Sequence, residues 1–121
     1  MKQEALIQMI SDAFGVSPDC PWESGTEALV FRHAGSRKWF ALWMRVKNAS
    51  LGLPGDGASE VLNVKCDPIL IGSLAREPGY LPAYHMNKGQ WLTILLDRVP
   101  QDDILALISM SYRLTGARKK K

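Results

Sequence analysis

KWFALWMRVK, residues 38–47, decides how the rest of the chain is read. The run contains neither glycine nor proline, and its alternate positions separate into two sets. Phe40, Leu42, Met44 and Val46 form one wholly apolar set, while Trp39, Ala41, Trp43, Arg45 and Lys47 form the other. Successive side chains of a strand point to opposite faces, so the run reads as a strand with a core face and a second, aromatic and basic face. ALVFRHA, residues 28–34, precedes it across Gly35 and Ser36, and the two together read as a β-hairpin.

Working outward, GLPGDG (52–57) is turn-rich and lacks the spacing of a phosphate loop, so it reads as a flexible connection. EVLNVKC (60–66) reads as a strand with Leu62, Val64 and Cys66 inward and Val61, Asn63 and Lys65 outward. Asp67 then caps a helix that begins at Pro68. WLTILLD (91–97) is a further strand, with Leu92, Ile94 and Leu96 inward and Trp91, Thr93, Leu95 and Asp97 outward. Helical periodicity places a first helix over residues 3–14, ended by Gly15, and a last one from Gln101 to Gly116 with Asp102 and Asp103 at its dipole's positive end. The order helix, hairpin, strand, helix, strand, helix implies an α+β domain: a two-layer antiparallel sheet with helices on one face.

The length of 121 residues suits a single domain over 1–121. Hydrophobic residues at 46% and charged residues at 22% are ordinary globular values. The first residues lack a secretory h-region and no window is apolar enough to span a membrane, so a cytoplasmic location with no membrane partner is expected. Cys20 and Cys66 form no CxxC pair, and neither reads as a metal ligand. The formal charge of +3 lies mostly in a basic tail, Arg118 to Lys121, expected to be disordered; the preceding residues sum to about −1. Within them the charge is uneven: residues 1–27 set Lys2 against Glu4, Asp12, Asp19, Glu23 and Glu27, whereas residues 28–98 are net basic.

YLPAYHMNKGQW, residues 80–91, is the segment densest in chemistry. His85 offers an acid or base, Lys88 a charge, and Tyr84 and Asn87 hydrogen-bonding groups. No activated nucleophile or metal spacing accompanies them, so no catalytic residue, metal or cofactor is assigned. Pro82 fixes an extended turn, Asn87 suits a turn into the next strand, and Tyr84, His85 and Asn87 read as structural.

Several of these segments together resemble the MmcQ/YjbR family of small bacterial proteins: Lys38-Trp39-Phe40-Ala41, Lys65-Cys66-Asp67-Pro68, Pro82-Ala83-Tyr84-His85-Met86-Asn87-Lys88, Trp91-Leu92-Thr93 with Leu96-Asp97, and Ser111-Tyr112. The resemblance implies a CyaY-like fold, that of bacterial frataxins, also described as double-wing, and a DNA-binding role. The chain has Arg98 where the family usually continues Leu-Asp-Gly. The acidic ridge expected of a frataxin-like iron site is sparse, with only Glu4 and Asp12 on the first helix, and iron binding is not expected.

Three function classes follow. The leading one is a non-enzymatic module for DNA or RNA, with Lys38, Arg45, Lys47, Lys65 and Lys88 on phosphates and Trp39, Trp43 or Trp91 stacking on bases. The alternative is a protein-interaction or homodimeric module using the same face, because a large apolar face is usually covered by a loop, a terminal helix or a partner. The third is a small-ligand or enzymatic role centred on His85 and Tyr84.

Overall fold

A computed structural model describes residues 1–20 and 27–116. Its centre is a five-stranded sheet of β1 (Ala28–Arg32), β2 (Trp39–Lys47), β3 (Ala58–Lys65), β4 (Tyr80–Pro82) and β5 (Trp91–Leu95) in the order β1-β2-β3-β5-β4. All of its pairings are antiparallel. The helices are α1 (Gln3–Phe14), α2 (Pro68–Leu74) and α3 (Gln101–Thr115), and a single 3-10 turn over Asn48–Leu51 follows β2. The α+β class and its antiparallel sheet are therefore as the alternation implied. Among the described residues, no helix is long and apolar enough to cross a membrane.

The elements end where local chemistry makes them end. Gly15 closes α1 in the left-handed conformation that glycine adopts without a Cβ clash. Asp67 accepts from the Ile69 N–H, and Pro68 occupies the first turn of α2. The short edge strand β4 has no periodic signature of its own and was read as a turn. Its approach depends on Gly79 at φ +97°, where a Cβ would lie 2.7 Å from a Val99 methyl carbon.

One irregularity reassigns the faces of β2. Phe31 pairs with Ala41 but Arg32 pairs with Trp39, so Phe40 is an extra residue, a β-bulge. Phe40 and Ala41 consequently both lie on the helix-covered side, and every later residue of β2 takes the face opposite to the one simple alternation gives it. Trp43 packs among Leu6, Ile10, Leu62, Ile94 and Ile108, whereas Leu42, Met44 and Val46 lie on the second face with Val61 and Leu95. The inward sets of β3 and β5 are as alternation placed them.

The second face is not bare. Trp39, Leu51, Leu53, Leu81, Tyr84 and Met86 pack over it, so the 3-10 turn, the loop after it and the segment 81–86 form a cover opposite the helices. Burying a large apolar side chain contributes about 1.5–3 kcal/mol, and both faces of the sheet gain in this way.

Two long-range polar links join α3 to the sheet and its edge. Ser111 of α3 sits between β2 and β3, accepting from the Lys65 N–H at 2.8 Å and donating to the Phe40 carbonyl at 2.6 Å. His33 lies 7% exposed after β1, with Nε2 2.9 Å from the Thr115 hydroxyl and its ring against Phe40 and Tyr112. Burial lowers the His33 pKa, a hydrogen bond with the Tyr112 backbone offsets part of this, and Lys38 lowers it further. Since the unfolded chain takes up a proton near pH 6.5 and the folded chain only at lower pH, the share of stability linked to His33 is complete above about pH 6.5 and declines as pH falls below it. Denaturant midpoints measured from pH 8 to pH 5 are expected to fall along this limb, and His33→Gln is expected to flatten it. An unchanged slope in the variant would remove His33 as the cause.

Candidate functional site

The segment 80–91 is fastened to the second face by a closed ring of hydrogen bonds. The Tyr84 N–H donates to the Thr93 hydroxyl, which donates to the Asn63 side-chain oxygen; the Asn63 amide donates to the Tyr84 carbonyl. Asn63 and Thr93 are register partners on β3 and β5, and both are fully buried. Each is a polar residue at an alternation position facing the second side, and each satisfies a backbone group of a crossing loop. Neither was singled out from the sequence. The available signal was a buried-strand position carrying an amide next to one carrying a hydroxyl.

Farther along, the Asn87 side chain accepts from the Gly89 N–H at 2.8 Å, and its carbonyl accepts from the Gln90 and Trp91 N–H groups. Asn87 thus forms the turn into β5. His85 is exposed, holds φ +61°, and places its ring 4.0 Å from that of Tyr84. A positive φ is uncommon for a residue with a Cβ, and histidine tolerates it better than most.

The aromatic and cationic candidates divide into three groups. Trp43 is 2% exposed and donates its indole N–H to Glu60, so it is unavailable for stacking. The bulge at Phe40 is the reason, since it turns Trp43 towards the helices. Arg45 lies over the Trp43 ring at 5.6 Å and contacts Glu27 at 3.3 Å and Glu60 at 3.6 Å, so its charge is compensated locally and it is not a free phosphate contact. Trp39 is half-buried, packs on the second face and lies under Arg32 at 5.8 Å. Arg32 and Arg37 both pair with Asp19.

The remaining candidates are different. Lys38, Lys47 and Lys88 are exposed and Lys65 is half-buried; among the described residues none of the four forms an ion pair. Lys65 is the register partner of Trp91, which is half-buried and belongs to neither core cluster. Strand alternation puts both on the second face, in line with Asn63 and Thr93. Of the three tryptophans expected on the outer face, Trp43 is turned towards the helices, Trp39 packs half-buried under Arg32, and Trp91 stands beside Lys65 at the sheet's end. The basic tail, residues 118–121, lies outside the described residues.

Burial pushes the Cys66 thiol up, which keeps it protonated, and its sulfur sits 3.9 Å from that of Met110. Among the described residues, no group of three or more His, Cys, Asp or Glu side chains is arranged to hold a metal ion.

Two solved structures with this fold are similar to the chain in sequence. A solved crystal structure from Pseudomonas syringae is 38% identical and superposes with a TM-score of 0.92, over 96% of this chain and all of that one. A more distant crystal structure, from Deinococcus radiodurans, is 25% identical with a TM-score of 0.70, over 94% of this chain and 78% of that one. The uncharacterized protein YyaQ of Bacillus subtilis is 37% identical over 95% of this chain and 98% of its own length. The YjbR family model matches residues 12–114, which include both strands of the Asn63–Thr93 ring, the crossing loop and Ser111. By sequence along nearly its whole length, the chain belongs to the YjbR family.

Proposed function

We propose that the protein is a non-enzymatic, cytoplasmic module that binds DNA or RNA through a basic and aromatic surface that includes Lys65 and Trp91 on the second sheet face. The observation that carries this reading is the set of lysines without an ion pair among the described residues, Lys38, Lys47, Lys65 and Lys88, with Lys65 opposite Trp91. Arg32, Arg37 and Arg45 are by contrast each held by a carboxylate. Uncompensated cations beside an uncommitted indole suit a phosphate backbone with adjoining bases. The CyaY-like, double-wing arrangement implied by the family resemblance belongs to this proposal, with the helices as the support and the opposite face as the contact. The alternative is a protein-interaction or homodimeric module using the same sheet face, over whose apolar part loops of the chain itself pack.

Titration of fluorescent DNA with the full chain and with a chain lacking residues 118–121 tests the reading. Three or four lysine–phosphate contacts predict that affinity falls roughly 10- to 100-fold between 50 and 200 mM salt. Lys65→Gln is expected to reduce the magnitude of the salt slope by about 1, and Trp91→Leu to weaken single-strand binding about 5-fold or more. Binding that ignores salt, or that vanishes with the tail, would overturn the proposal.

A further inference from the structure

The crossing loop leaves two neighbouring clefts on the second face. One, of about 280 Å³, is lined by Ala28, Met44, Val46, Lys47, Ser50 and Tyr84 together with Glu27 and Arg45. The other, of about 230 Å³, is lined by Leu51, Leu81, Pro82, Ala83 and Lys88 and shares Ser50 and Tyr84 with the first. Tyr84 and Ser50 therefore join the two into a groove. Its charged groups are of two kinds. Glu27 and Arg45 contact each other at 3.3 Å, whereas Lys47 in one cleft and Lys88 in the other form no ion pair among the described residues. The aromatic element is rigid: the Tyr84 backbone is held at both N–H and carbonyl by Thr93 and Asn63, and the exposed His85 ring lies on the Tyr84 ring from a left-handed backbone position.

Resting on the nucleic-acid reading above, we propose that this groove takes a single strand, with bases against the Tyr84–His85 rings and phosphates at Lys47 and Lys88. The groove offers a lysine in each cleft and Tyr84 in both, with the exposed His85 ring against Tyr84 outside the lining, which complements a chain of alternating phosphates and flat bases. A duplex keeps its bases stacked inside and presents only its backbone, so it gains nothing from the ring pair. The groove is thus what would separate single-strand from duplex binding, while Lys65 and Trp91 serve the general contact.

The test uses the full chain and a 12-nucleotide single strand carrying 5-bromouracil, with the matching duplex as comparison. Photocrosslinking of the unaltered protein, followed by peptide mapping, is expected to place adducts at Tyr84 or His85. His85→Asn removes the ring while keeping a residue that accepts positive φ; it and Tyr84→Leu are each expected to lower single-strand affinity about 5-fold or more, with duplex affinity little changed. Lys47→Gln and Lys88→Gln are each expected to reduce the salt slope by about 1. Adducts confined to other peptides, with the groove variants binding as the parent does while Lys65→Gln and Trp91→Leu weaken binding, would overturn the groove assignment and leave the general reading standing. Salt-independent binding of both strand forms would remove the general reading and the groove with it.

Discussion

Asn63→Leu is expected to destabilise the fold by about 3 kcal/mol, on the order of 10 °C in Tm. The side chain is fully buried and closes the ring that holds the crossing loop to the sheet. Leucine fills a similar volume among Leu42, Val61 and Leu95, so the loss is one of hydrogen bonds rather than packing. It strips the Tyr84 carbonyl of its donor and the Thr93 hydroxyl of its acceptor, and burial denies either a water in exchange. Thr93→Val attacks the same ring from the other side, leaving the Tyr84 N–H unmatched. Because the two residues share one network, the double variant is expected to lose clearly less than the sum of the two singles. Urea denaturation of the four proteins measures this directly; additive losses, or a single loss under about 1 kcal/mol, would mean that the ring is not a unit. Hydrogen exchange at residues 84–91 should quicken in both single variants, since the tether is what keeps this loop on the face.

Ser111→Ala should cost about 2–4 kcal/mol, although it removes a single oxygen from a helix that alanine otherwise favours. The hydroxyl bridges the Lys65 N–H and the Phe40 carbonyl, two groups on neighbouring strands at the bulge. Without it both lose their partner beside a core that includes Phe40, Val64 and Cys66. Ser111→Thr keeps the hydroxyl and is the informative control: it should retain more of the stability than alanine does if the bridge matters, and less if the space around it matters more. Chemical denaturation separates the outcomes, and a neutral Ser111→Ala would show that the strands close on each other without help.

Much of the architecture was legible from local pattern. The caps at Gly15 and Asp67, the helical periods of α1 and α3, and the inward sets of β3 and β5 are properties of near neighbours along the chain. The strand β4 was not legible, because three residues carry no period and its pairing is supplied by β5. The site was legible only in part. Lysines could be named, but which of them lack a carboxylate depends on partners far away in sequence, such as Asp19 for Arg37 or Glu60 for Arg45. Ser111 looked like a polar position on an amphipathic helix until the strands beneath it were in place.

The sequence by itself determined the α+β class, the antiparallel strands, the ends of α1 and α3, the start of α2 and the segregation of basic residues into the middle of the chain, since all of these follow from period, composition and local chemistry; α2, read through Glu77, stops at Leu74. Only the tertiary structure decided which way Trp43 faces, what covers the second side of the sheet and which lysines remain uncompensated. For Trp43 the physical reason is a single added residue, a bulge at Phe40 that reverses the side-chain parity of β2 and appears only when β1 is laid beside it; the cover and the ion pairs depend on residues distant in sequence.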